Sequence, residues 1–96
     1  MTSKYIVSCF SPPNALVIES GQEVKVEGWK RGNKILAKNI MNITKNGPTC
    51  NCGDVPKALL GEKVTLKGKV SNVKYSSEGV QFDVDVLAIY SGVDVW

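Results

Sequence analysis

Three cysteines, Cys9, Cys50 and Cys52, and a basic aromatic run, Trp29-Lys30-Arg31, carry the most chemical potential in this chain of 96 residues. Cys50-Asn51-Cys52-Gly53-Asp54 sets two thiols two residues apart beside a carboxylate, in a loop flanked by Asn46-Gly47-Pro48. A structural zinc takes four ligands, usually from two separated Cys pairs or with His. Here only Cys9 and Asp54 can complete a set, so no metal site is expected. A Cys50–Cys52 bridge would be strained, whereas Cys9 can pair with either and leave an odd thiol. Reduced thiols in a reducing, cytoplasmic setting are the simpler reading, with a partner-facing redox pair as the alternative.

The chain contains no histidine. That removes the commonest general base, the usual metal ligand and the near-neutral proton shuttle together. Triads of the Ser-His-Asp or Cys-His kind are excluded. Neither a phosphate-cradling G-x-x-x-x-G-K-[ST] nor a dinucleotide G-x-G-x-x-G occurs, and no carboxylates cluster densely enough for a two-metal site. The expectation is a protein that is not an enzyme and takes no cofactor.

Charge is divided along the chain beneath a net value of +3. Residues 22–74 hold eleven bases against four acids, a net +7, while residues 75–96 hold Glu78, Asp83, Asp85 and Asp94 with no base, a net −4. A basic middle is an electrostatic footprint for a polyanion, because each phosphate contact releases counterions and steers encounter. The competing reading is internal. If the strand with Asp83 and Asp85 pairs with the one carrying Lys67 and Lys69, opposite charges become cross-strand neighbours facing water.

Alternation of apolar and polar residues, the period of a half-buried strand, dominates the chain. Residues 24–28, 64–70 and 80–86 alternate, and residues 4–10 read as a further strand ended by Pro12-Pro13. Arg31-Gly32-Asn33-Lys34 and Ser76-Ser77-Glu78-Gly79 are turn signals. Residues 35–43 form another strand, whose phase slips near Lys38-Asn39 as at a bulge. Only residues 56–60 look helical, with Asp54 as a candidate N-cap and Gly61 as a stop. The motif G-x-x-V-x-[VL]-x-G occurs at Gly21 and again at Gly61, each after a Pro-x-Ala-Leu. Forty residues cannot close a barrel, so the repeat reads as two halves of one closed sheet. The mid-strand glycines, Gly28 and Gly68, fall in the inward phase, where a strongly coiled strand bends.

If Val24, Val26 and Gly28 point inward, Lys25, Glu27, Trp29 and Arg31 point outward. Trp29 beside Lys30 and Arg31 is then the best candidate platform for stacking on a base, an interaction worth roughly 1–3 kcal/mol per base. Lys34 and Lys38 lie on the next strand, Lys67, Lys69 and Lys74 on another, and Tyr75 sits at a turn beside Lys74. The structural alternatives are a barrel-end or rim role for Trp29 and an ordinary hairpin aromatic for Tyr75. Phe82 belongs to the core. Against a nucleic-acid face stand Glu23 and Glu27 within the basic strand and, if they share its face, Asp83 and Asp85.

Residues 61–70, a polar turn and residues 79–86 resemble the leading strands of an OB fold, the five-stranded Greek-key barrel of the anticodon-binding-like and single-stranded-DNA-binding groups. Gly28, Ile35-Leu36-Ala37 and Ile40 are similar to barrel strands of the same superfamily, including the periplasmic heme chaperone of cytochrome c maturation, which attaches heme through a histidine this chain lacks. The resemblance covers most of residues 20–90. It implies an all-β, five- to six-stranded OB-like barrel, to which residues 56–60 add one short helix, and the length makes residues 1–96 one domain. It also implies that this small basic protein binds single-stranded DNA or RNA without catalysis. The alternative is a protein-binding or assembly domain that uses a sheet edge or the terminal Trp96. The longest uncharged stretch, residues 5–18, is broken by prolines and falls short of the roughly 20 residues that span a bilayer, and no leader is apparent, so no membrane partner is expected.

Overall fold

The computed structural model describes residues 3–10, 16–47, 49–53, 57–59, 61–77 and 79–91. Six strands appear in chain order: β1 Ser3–Phe10, β2 Glu23–Arg31, β3 Lys34–Asn42, β4 Thr49–Asn51, β5 Glu62–Ser76 and β6 Gly79–Ser91. The single helical element among the described residues is a 3₁₀ turn, Lys57–Leu59, within the stretch expected to be helical. Asp54, Pro12, Pro13 and Trp96 lie outside the described residues. No helix among those residues is long and apolar enough to cross a membrane.

The sheet runs β1-β6-β5-β2-β3-β4, and a parallel pairing of β1 with β3 closes its first five strands into a mixed barrel of the small OB-like kind. β4 extends the sheet beyond β3. Closure carries a stagger. A walk across the ladder from Lys63 on β5 passes Trp29 on β2, Leu36 on β3, Ser8 on β1 and Gln81 on β6, and returns to β5 at Lys74, eleven residues further on. Such an offset is what tilts strands around a closed barrel.

The expected phases hold. Val24, Val26, Val64, Leu66, Val80, Phe82 and Val84 are at most 2% exposed and form the core with Val7, Ile35, Ala37 and Ile40. Lys38 is the inserted residue of a bulge, since Glu27 faces Asn39 while Gly28 faces Ala37. Gly28 and Gly68 both sit at register shifts. At each the strands approach so closely that a Cβ would strike a neighbouring carbonyl, that of Leu36 or of Asp85. The repeated motif is a pair: Val24 opposes Gly68, Val26 opposes Leu66 and Gly28 opposes Val64, so the two copies are antiparallel partners about a local dyad at Val26–Leu66.

One end of the barrel is sealed by residues 16–22, which bury Leu16 and Ile18. Backbone polar groups there need partners, and a buried amide supplies them. Asn42 Nδ2 donates to the Val17 carbonyl at 3.2 Å and to Gln22 Oε1 at 2.8 Å, Gln22 Oε1 also accepts from the Glu19 N–H, and Asn42 Oδ1 accepts from the Lys45 N–H.

The cysteines depart from the expectation of reduced thiols. Cys9 on β1 and Cys52 just after β4 form a disulfide with a Cα–Cα distance of 5.1 Å, and both lie in the core. The inward phase of Cys9, and the Cys52 N–H donating to the Lys38 carbonyl at 2.8 Å, bring the two together. Cys50 is half-buried and not disulfide-bonded.

Candidate nucleic-acid interface

The closure stagger sorts the basic residues into separate groups. On the outer face of β2 and β5, Lys69 lies opposite Glu23 on one side and Asp85 on the other. Asp85 in turn meets Lys4 at 4.0 Å. This is the internal neutralisation that charge layout alone allowed, and it removes Lys69 from any uniformly positive surface. Lys25 and Lys67 face one another directly. Between that pair and Trp29 stands Glu27, which meets Lys63 at 3.8 Å.

A second group gathers at the β2–β3 hairpin. Arg31 opposes Lys34, and Trp29 opposes Leu36. Leu36 is 8% exposed yet falls outside the core cluster, because Ile35 and Ala37 on either side of it take the inward positions. It is an apolar residue on the outer face, and the half-buried Trp29 beside it completes an exterior apolar pair. Lys34 and Lys38, both exposed, flank Leu36 along β3. Arg31 Nη1 also donates to the Ala58 carbonyl at 3.3 Å, tying the hairpin to the 3₁₀ turn.

Lys30 is in the opposite phase from Trp29 and faces the barrel mouth, with its ammonium 5.7 Å from the centre of the Tyr5 ring. Tyr75 opposes the inward-facing Val80, and its hydroxyl donates to the Ile18 carbonyl at 3.5 Å, so it stands on the side of the β5–β6 hairpin away from Lys74. Tyr75 is nonetheless 63% exposed.

Going round the barrel from Trp29 in the direction away from β5, the row continues through Leu36, Ser8 and Gln81 to Lys74. At roughly 4.8 Å per strand, four steps cover about 19 Å. None of these residues is acidic, and β1 and β3 contain no acid at all. Asp83 falls on the flanking row, opposite Ile6, where its carboxylate accepts from Asn72 Nδ2 at 2.9 Å. Along the row Ser8, Phe10, Ser76, Gly79 and Gln81, with Cys9 and Val80 beneath, line a depression of about 70 Å³. That is near half of the roughly 150 Å³ cavity that encloses a benzene, so a planar ring would lie across it rather than within it.

Of the ten residues singled out from sequence, Trp29, Arg31, Lys34, Lys38 and Lys74 border this surface. Lys25, Lys67 and Lys69 lie elsewhere on the exterior, and Lys30 and Tyr75 face the two barrel ends. Phe10, Ser8 and Gln81 were missed. The signal for Phe10 was present, since Val7 and Cys9 inward place Ser8 and Phe10 outward on the same strand. Comparison with protein-family models, with curated proteins and with solved structures finds no match to this chain.

Proposed function

We propose that this protein binds single-stranded nucleic acid, without catalysis, across the row from the β2–β3 hairpin to the β5–β6 hairpin. The observation that supports it is the closure stagger, which brings Trp29 onto one acid-free row with Lys74, with Lys38 beside that row on β3 and with Arg31 and Lys34 on the flanking row that also holds Asp83. Trp29 and Phe10 are the planar surfaces for bases, and Arg31, Lys34, Lys38 and Lys74 contact phosphates. A span of about 19 Å suits the short end of single-strand sites, about four nucleotides. The OB-fold resemblance adds to this reading. With β5 as the first strand, β6 and β1 are the second and third in ladder order, and the second and third strands are where that fold takes oligonucleotides.

The Cys9–Cys52 bond favours a setting oxidising enough to keep it closed over the cytoplasmic location expected from sequence. Binding across the row does not depend on that location.

The test is fluorescence anisotropy of labelled oligo-dT and oligo-U at low and physiological salt. Phe10→Ala and Trp29→Ala should each weaken binding by the 1–3 kcal/mol of a lost stack, about 5- to 150-fold. Lys34→Ala/Lys38→Ala should weaken it at low salt, and Lys25→Ala/Lys67→Ala should change it little. Absence of binding at low salt, or a larger loss from the Lys25/Lys67 pair, would overturn the proposal.

A further inference from the structure

We infer that the Cys9–Cys52 disulfide is a redox latch that holds β4 on the barrel and, through Cys9, keeps the candidate binding row in place. β1 closes the barrel against β3 through only residues 6–8 with 34–36. Past Leu36 the free edge of β3 is taken over by β4, which pairs at residues 39–41 and ends with the Cys52 N–H on the Lys38 carbonyl. At this handover the bond joins Cys9 on one strand to Cys52 on the other. It stands where the β1–β3 ladder has stopped.

β4 is three residues long and has β3 as its one ladder neighbour. An edge strand that short, held by three register pairs, is marginal without a covalent tie. Cys9 lies between Ser8 and Phe10, lines the floor of the depression, and offers its carbonyl where Gly79 packs against it so closely that a Cβ would strike the oxygen. Release of Cys9 therefore loosens the centre of the row, while loss of the Cys52 contact frees Lys38, which flanks the row beside Leu36.

The bond is opened by a dithiol. One of its thiolates attacks a protein sulfur to form a mixed disulfide, its second thiol resolves that bond, and the dithiol leaves as a disulfide, having given two electrons and two protons to Cys9 and Cys52. Both sulfurs are buried, at 1% and 0% exposure, so attack proceeds through fraying of β4. The two thiols that result can no longer sit at bonded separation, and the core resists them. β4 moves outward because it is the element with the fewest pairings.

The test is amide hydrogen exchange on the 96-residue chain, oxidised and treated with dithiothreitol, in a Cys50→Ala background that removes the third thiol. On reduction the Cys52 amide and those of β4 should exchange faster than the core amides of Val26 and Leu66 by on the order of tenfold or more, the core losing no more protection than the global fall in stability accounts for. Cys9→Ala/Cys52→Ala should reproduce the reduced pattern without reductant. Equal protection in both states overturns the latch, and so does a reduced protein in which β4 keeps the same protection as the core, which would make the bond a staple of the whole fold. The coupling to the row rests on the proposed function. Oligonucleotide affinity falling on the order of tenfold on reduction supports it, and equal affinities overturn it. If the oxidised protein binds no oligonucleotide, the proposed function fails and exchange alone decides the latch.

Discussion

Reducing the Cys9–Cys52 bond should cost the folded chain about 4 kcal/mol of stability. The bond joins residues 43 apart in sequence. In the chain-entropy treatment a loop of that length removes on the order of 13 cal/mol/K from the unfolded ensemble, about 4 kcal/mol at 25 °C. A domain of this size holds roughly 5–14 kcal/mol in total, so the reduced barrel stays folded while losing roughly a third to four fifths of its margin. The assay is a pair of urea melts, oxidised and reduced, in the Cys50→Ala background. With a slope near 2 kcal/mol/M the midpoint should fall by about 2 M. Both sulfurs remain present in the two states, which separates the bond from the cavity that a Cys→Ala change would leave. A fall below about 0.5 M, with reduction verified by thiol counting, would refute the reasoning, because the bond would then strain the native state by nearly as much as it constrains the unfolded one.

Gly79→Ala should destabilise by about 1–3 kcal/mol in the same melts, because Gly79 has φ of 137° and a Cβ there meets the Cys9 carbonyl oxygen; no change would mean the β1–β6 approach relaxes without cost. Asn42→Leu should cost about 1–3 kcal/mol by removing the buried amide that pairs Gln22 Oε1 and the part-buried Val17 carbonyl, leaving Gln22 Oε1 with only the Glu19 N–H; a neutral or stabilised variant would show that the amide network is dispensable. For oligonucleotide binding, four phosphate contacts by Arg31, Lys34, Lys38 and Lys74 set the slope of log K against log salt at about −3, from roughly −0.7 per contact on a single strand. A slope near −5 would bring Lys25, Lys67 and Lys69 into the interface and displace the row.

Much of the barrel wall was legible in local pattern. Strict alternation at residues 24–28, 64–70 and 80–86 reported which side chains point inward, because a strand buried on one face has no other way to satisfy its pleat. The phase slip at Lys38-Asn39 located the bulge, and the inward glycines located the places where strands bend. The repeated motif announced related halves, and its two copies turned out to be direct ladder partners. What alternation does not carry is which outward residues become neighbours. Lys67 and Lys69 are two residues apart on one face, yet one opposes Lys25 while the other sits between Glu23 and Asp85. The difference lies in long-range register.

Register also decided the candidate site. Lys30 and Tyr75 adjoin outward-facing residues in sequence, but each occupies the inward phase at a strand end, so one turns to Tyr5 at the mouth and the other to Ile18 at the sealed end. β4 escaped notice because three residues are too few to show a period, and the pairing of Cys9 with Cys52 rather than Cys50 depends on where that short strand stops. The β1–β3 contact is parallel, non-local and only three pairs long, the kind of pairing with no local signature and the largest loop-closure cost before it is rewarded. It is nevertheless the contact that generates the row, since without it Trp29 and Lys74 would be separated by the eleven residues of β5 between their rungs. The barrel wall can thus be read from residues two apart, whereas the candidate surface forms only once the last strand closes. A variant that weakens that closure, such as Leu36→Asp on the outer face, should therefore lower oligonucleotide affinity more than Lys25→Ala/Lys67→Ala does, and the reverse order would place the interface on β2 and β5 instead.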